Sequence, residues 1–318
     1  MRLSPRAVGL GADVVTILVW TSFIVISRAS TQRALSTFDI TAARLAGAAV
    51  VLLPWGWWLV RRRGLPGSLG LSPLPLRLTV LLGLFGGLLF GILPYLGFRF
   101  APAVHGAVLM TGSLPLWTTL LAALLLHERI TPARATGLGL IVAGGLLVGG
   151  ASLLRADGGA AWKGDLLFLA ASASWATYGV LVRRHGVDAV QATIAVIVFA
   201  SLTYLPVYAL LLAAGALPTG WGHVGAGEWL FQMLFHGVCS VVVSGTAFNL
   251  MVRHYGPVRT TMLTALVPGL SALGAVLWLG EPLHWNLLAG LALVTLGIVV
   301  GVRAAGLPRP AAAVAAAG

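Results

Sequence analysis

Long apolar stretches alternate along this chain with short polar joints. Ten blocks stand out, at roughly 11–31, 39–60, 78–98, 103–126, 132–153, 164–182, 190–214, 228–252, 257–279 and 284–303. Most are close to the 20 or so residues with which an α-helix crosses a bilayer core. The joints carry Pro, Gly and Arg, as in Arg61-Arg62-Arg63-Gly64-Leu65-Pro66-Gly67. The pattern predicts an all-α integral membrane protein of ten transmembrane helices, with no room for a soluble domain. Pro310 to Gly318 is alanine-rich and reads as a low-complexity tail.

Composition narrows the classes further. Of 318 residues 58% are hydrophobic and 9% charged, against about 25% charged in soluble domains. So few charges cannot cover a soluble surface, and so much apolar residue excludes disorder. The single cysteine, Cys239, sits in an apolar block, so neither an intrachain disulfide nor Cys/His metal spacing is available. Met1 to Arg6 resembles the basic start of a signal peptide, but the block behind it is longer than a signal core and reads as an uncleaved first span.

Net charge is +12, and its distribution points to topology. With the N-terminus in the cytoplasm, the inner side holds Arg2, Arg6, Arg61, Arg62, Arg63, Arg77, Arg129, Arg134, Arg183, Arg184, Arg253, Arg259, Arg303 and Arg309. The outer side holds Arg28, Arg33, Arg99, Arg155 and Lys163. Fourteen against five is a positive-inside bias, which expects both termini in the cytoplasm of a plasma or inner membrane. The basic residues form no continuous patch, so nucleic acid is not an expected partner.

The two halves repeat. At an offset of 153, Thr111, Pro115, Glu128, Gly137 and Gly144 fall on Thr264, Pro268, Glu281, Gly290 and Gly297. At 154, Gly91 and Arg99 fall on Gly245 and Arg253; at 155, Trp20, Phe23 and Arg28 fall on Trp175, Tyr178 and Arg183. Five spans per half is an odd number, so the second half enters the membrane from the opposite side. The expected units are 1–155 and 156–305, two inverted five-helix repeats, followed by the tail 306–318. Inverted repeats of this kind serve secondary transporters.

Several of these stretches resemble the EamA family of the drug/metabolite transporter superfamily. Trp20-Thr21-Ser22-Phe23-Ile24-Val25-Ile26-Ser27-Arg28 looks like its first-span motif, and Thr41-Ala42-Ala43-Arg44-Leu45-Ala46-Gly47-Ala48 like its second-span arginine motif. Leu114-Pro115, His127-Glu128-Arg129 and Gly137 through Gly144 resemble the end of an EamA repeat, as do Val267-Pro268, Gly280-Glu281-Pro282 and Gly290 through Gly297. The second half has no obvious counterpart of Arg44. The resemblance covers almost the whole chain and implies a ten-helix bundle that moves small metabolites or drugs, often amino acids and often outward.

Polar residues within spans are the candidates for the transport path, because buried polar atoms in hydrocarbon are costly. Asp13, Thr16, Trp20, Phe23 and Ser27 recur at helical spacing on one face of the first span. Trp20 and its repeat mate Trp175, with Tyr178 and Ser172 beside the latter, fall near mid-depth. They are expected either to wall a substrate cavity or to pack helices. The eighth block carries Gln232, His236, Ser240, Ser244 and Asn249; the ninth carries Thr260, Thr264, Pro268 and Ser271; the fourth carries His105, Thr111 and Thr119. Lone hydroxyls often bond their own helix carbonyls, and the stripes together suggest a wet path. Arg44 either holds a substrate carboxylate or snorkels to the interface. The substrate-binding set is therefore Trp20, Arg44, Tyr95, Trp175, Tyr178, Asn249 and Thr264, with Asp13 and His236 as candidates for proton coupling. Glu128 and Glu281, each at a span end, are expected to cap and fix turns. Glycines at Gly83, Gly87, Gly91, Gly297 and Gly301 let helices approach.

Enzyme motifs do not survive inspection. His127-Glu128 is followed by Thr131 where a zinc-protease helix needs histidine, and Lys163 follows Trp162, so there is no phosphate-binding loop. Transport would then draw on a solute or ion gradient. The reading is a secondary transporter of a small amphiphilic metabolite, with a lipid or lipid-linked-sugar flippase of related fold as the alternative. No metal or cofactor is expected. The expected partners are a small-molecule substrate, the lipid bilayer and, as an open option, a second copy in a homodimer.

Overall fold

The computed structural model describes residues 5–65, 67–154, 159–248, 250–251 and 264–303, and no strand forms among them. Eight helices are long and apolar enough to cross a membrane. They are α1 (Pro5–Thr31), α2 (Thr37–Arg63), α3 (Leu76–Phe100), α4 (Ala103–Leu126), α5 (Pro132–Leu154), α6 (Ala161–Arg184), α7 (Ala189–Ala213) and α8 (Ala226–Phe248). Two shorter apolar helices follow, α9 (Leu266–Leu279) and α10 (Trp285–Arg303). Of the ten expected blocks, the ninth begins at 257, outside the described residues.

Local chemistry sets the helix ends. Ser36 and Asp39 form a capping box at the start of α2, with Ser36 Oγ accepting from Asp39 N (3.1 Å) and the Asp39 carboxylate from Ser36 N (2.9 Å). Asp188 caps α7 through Val190 N and Gln191 N. At the far end of α9, Gly280 takes a left-handed turn at φ 64°. Its repeat mate, His127 at the end of α4, adopts the same conformation at φ 56° without the freedom of glycine.

Three helices loosen internally into π turns, at Gly83–Leu89 in α3, Ala107–Thr111 in α4 and Met233–Val243 in α8. In α4 the Gly112 N–H reaches the Ala107 carbonyl five residues back, at 3.1 Å. Such turns occur often at functional sites.

The most extensive packing joins early helices to late ones. Helix α5 lies along α10, α2 along α8 and α7, α3 along α6 and α7, α4 along α6, and α1 along α9. Glycines set the closest approaches: a Cβ on Gly137 would meet the Gly301 backbone at 2.7 Å, and one on Gly237 the Arg44 carbonyl at 2.8 Å. A belt of apolar side chains faces outward, including Leu18, Leu124, Leu146, Leu210, Leu277 and Trp278. On a water-soluble protein such a belt would be a liability; against lipid it is the required surface.

Candidate functional site

Three helices, α2, α3 and α8, bring polar side chains together around a phenylalanine of α1. Arg44 stands seven residues into α2, about 10 Å along the axis at 1.5 Å per residue. Its guanidinium lies over the ring of Phe23 from α1 (5.5 Å to the centroid) and bonds Ser240 Oγ of α8 (3.3 Å). Tyr95 of α3 and His236 of α8 pack on the same Phe23 ring, at 5.9 and 5.7 Å between centroids. The His236 ring stands edge-on to Tyr95 (5.2 Å), Phe23 (5.7 Å) and Phe235 (5.1 Å). Tyr95 and His236 are fully buried and Arg44 is 6% exposed. Neither His236 nitrogen nor Tyr95 Oη has a hydrogen-bond partner. Among the described residues no carboxylate lies within ion-pair distance of Arg44.

The cluster sits toward the end of the bundle that holds the α1–α2 turn. There the start of α8 is tied to the end of α1 by Arg33 to Glu228 (3.4 Å) and Gln232 to Ser30 (2.9 Å). The helices meet closely: a Cβ on Gly47 would fall on the Met233 carbonyl, and Thr41 of α2 donates to the Gly91 carbonyl of α3 (3.1 Å).

Trp20 belongs to a different place. It stacks on Phe248 (5.2 Å between centroids) and lines a recess with Thr111, Leu114, Pro115, Thr264, Ala265 and Ile298. Thr111 and Thr264, equivalent residues of the two halves, thus share one wall. Trp175 and Tyr178 sit elsewhere again, in an aromatic stack with Phe90 of α3 (4.6 and 5.0 Å), where Gly86 gives Tyr178 its space. Among the described residues no ring contact joins Trp20 to Trp175. Asp13 is buried on α1, next to Ala12, which packs with Ala247 of α8 and with Met251 beyond its end. Asn249 lies outside the described residues. Many hydroxyls bond their own helix, as Ser244 and Thr111 do, whereas Thr16, Ser27 and Ser271 are buried without a hydrogen-bond partner.

The duplicated glutamates do more than fix their own turns. Glu281 accepts from Arg28 Nε at the end of α1 (3.1 Å) and from Ala103 N at the start of α4 (2.8 Å), while Arg28 also donates to the Phe98 carbonyl. It does cap a helix, but a helix of the other half. At the other end of α4, Glu128 pairs with Arg183 and lies near Arg134. The sequence already held the signal: Arg28 and Arg183 are mates, Glu128 and Glu281 are mates, and each arginine pairs with the glutamate of the opposite half. Less visible was the bond between His105 of α4 and Asp165 of α6 (2.7 Å), both buried, because the two lie 60 residues apart on different helices.

Comparison with known proteins agrees with this architecture. The sequence profile of the EamA-like transporter family matches residues 9–150 and again residues 162–303. A Bacillus subtilis (strain 168) protein described as the uncharacterized transporter YyaM is 26% identical over 244 residues, 72% of this chain and 74% of its own. A solved crystal structure superposes with a TM-score of 0.61 at 22% identity, over 94% of this chain and 98% of the other; that likeness speaks to the fold.

Proposed function

Because the chain belongs to the EamA-like transporter family and is a multi-pass membrane transporter, we propose that it is a secondary transporter of a small amphiphilic metabolite such as an amino acid. It works by alternating access, without ATP hydrolysis, in the plasma membrane. In this reading the chain is two inverted five-helix repeats, ten spans in all, with both termini cytoplasmic, and the match of the family to each half supports the division.

The crossed ion pairs carry this reading. Arg28–Glu281 and Arg183–Glu128 each join one half to the other, and they sit at opposite ends of α4, about 35 Å apart by helix rise. They are unequal: side-chain exposure is 16% and 11% for the first pair but 56% and 31% for the second. Two equivalent clasps, one tight and one loose, are what one state of an alternating-access cycle calls for. The arginine distribution supports the orientation, with the Arg28 end facing outward.

Reconstituted protein tests the function. Proteoliposomes preloaded with amphiphilic metabolites should show counterflow of a labelled water-soluble solute without ATP. Lipid headgroup movement with no solute counterflow would overturn the reading. For the topology, a periplasm-dependent reporter placed after Arg309 should be silent, and the same reporter in the 155–163 connection active; the reverse would overturn the orientation.

A further inference from the structure

We propose that Arg44, Tyr95, His236 and Ser240 form a receptor for one carboxylate group of the solute. The proposal rests on the transporter reading and deepens it, naming the chemical class of the solute.

Charge is the first argument. Arg44 is buried and, among the described residues, has no carboxylate at ion-pair distance. A buried guanidinium is stabilised when a counter-charge and hydrogen bonds meet it. One unpaired cation matches one negative charge, which favours a monoanion over a phosphate monoester dianion.

The donor set is the second. Guanidinium N–H groups, the Tyr95 hydroxyl, a ring N–H of His236 and the Ser240 hydroxyl can all donate. These groups come from α2, α3 and α8, and they gather around Arg44 and the Phe23 ring beneath it. Both His236 nitrogens and Tyr95 Oη are buried and make no hydrogen bond to the protein. An ionised carboxylate only accepts, and its planar pair of oxygens suits the fork of an arginine. A neutral amide or ester in its place gives up the charge.

The walls are the third. Phe23 lies under the guanidinium, and Phe23, Phe235 and Tyr95 surround the His236 ring at 5.1 to 5.7 Å between centroids. Contacts of this kind fix the guanidinium and the His236 ring in place, so the donors are held ready for the carboxylate. The π turns of α8 cover His236 and Ser240, so the backbone there departs from the regular helix where the receptor needs those side chains.

The test measures binding apart from transport. Purified protein in detergent is titrated with phenylacetate, phenylacetamide and phenyl phosphate, and the thermal unfolding midpoint is followed by tryptophan fluorescence. Phenylacetate should raise the midpoint in a saturable way, and the other two should not. Arg44→Lys should weaken phenylacetate binding about tenfold or more, because lysine keeps the charge but loses the fork. Tyr95→Phe and His236→Gln remove or alter single donors with little change in volume and should each weaken it several-fold. Arg99→Gln, at the exposed end of α3, should leave it unchanged. Equal stabilisation by phenylacetate and phenylacetamide, no stabilisation by phenylacetate, or parental binding in Arg44→Lys together with Tyr95→Phe would overturn the receptor. If Arg44-dependent binding is found but liposomes show no solute counterflow, the receptor stands and the transport reading falls. If solute counterflow is found and the Arg44 and Tyr95 variants leave it unchanged, transport stands and the receptor falls.

Discussion

Neutralising Glu281 should open one end of this protein, and the structure allows the size of the effect to be worked out. In Glu281→Gln the carboxylate loses its charge-assisted bonds with Arg28 Nε (3.1 Å) and Ala103 N (2.8 and 3.1 Å). Such bonds contribute about 1.5–3 kcal/mol each, and orphaning one member of a buried pair costs about 3–5 kcal/mol. Arg28 keeps the Phe98 carbonyl and some solvent, and glutamine can still accept from Ala103 N, so about 2–3 kcal/mol is the expected net loss. That shifts the closed-to-open ratio at this end by about 30- to 150-fold. The exposed Arg183–Glu128 pair, at 56% and 31% exposure, should be worth under about 1 kcal/mol. Ser27 is the natural reporter, since it is fully buried one residue before Arg28. In a Cys239→Ser background, Ser27→Cys should react slowly with a membrane-impermeant thiol reagent. Glu281→Gln should speed that reaction by at least tenfold and Glu128→Gln should not. The double exchange Arg28→Glu with Glu281→Arg should restore only part of the protection, because it rebuilds the ion pair and presents a cation to the Ala103 N–H. Unchanged labelling in Glu281→Gln, or a larger effect from Glu128→Gln, would refute the clasp.

Three further outcomes follow from local geometry. His127→Gly should stabilise the fold modestly, by about 0.5–1 kcal/mol at most, and so raise the thermal midpoint, since His127 holds a left-handed turn at φ 56° that glycine adopts without strain; circular dichroism melting checks it. Trp20→Ala should weaken solute counterflow by about tenfold with near-parental folding, because Trp20 lines a recess, whereas Trp175→Ala should lower the melting midpoint first, since it removes the middle of the Phe90–Trp175–Tyr178 stack. Gly47→Ala should impair folding because its Cβ would strike the Met233 backbone, while Gly227→Ala, with nothing within 4 Å, should express normally; size-exclusion profiles in detergent compare the two.

Much of the fold was legible because hydrocarbon leaves the backbone few choices. Apolar length located the helices, and Gly, Pro and Arg located the joints. What stayed hidden depends on how helices rotate against one another. Periodicity puts Trp20 and Trp175 each on a polar face, yet it does not say that one borders a recess with Thr264 while the other stacks on Phe90. Nor does it reveal the π turns, which change the facing of every residue after them. His236 and Arg44 were each visible as polar residues in apolar helices. Their meeting was not, because it depends on Gly47 and Gly237 letting α2 and α8 touch backbone to backbone.

The arrangement of duplicated and unduplicated residues bears on how motion and recognition divide. Arg28 and Glu281 have mates, and so do Thr111 and Gly83; all belong to contacts between helices or to the recess near Trp20. Arg44 has none. At an offset of 154 its position is filled by Val198, buried in the apolar cluster of α7, and Gly83, the mate of Gly237, packs against Phe199 where Gly237 packs against Arg44 and Ala48. The helix pairs α2–α8 and α7–α3 thus approach in the same way while carrying different chemistry. A motion that exchanges the conformations of the halves can use the duplicated contacts in both directions. Under the proposed alternating access, a charge that meets one solute is needed once, and the single copy of Arg44 would give the path a polar end that an exchange of conformations does not duplicate.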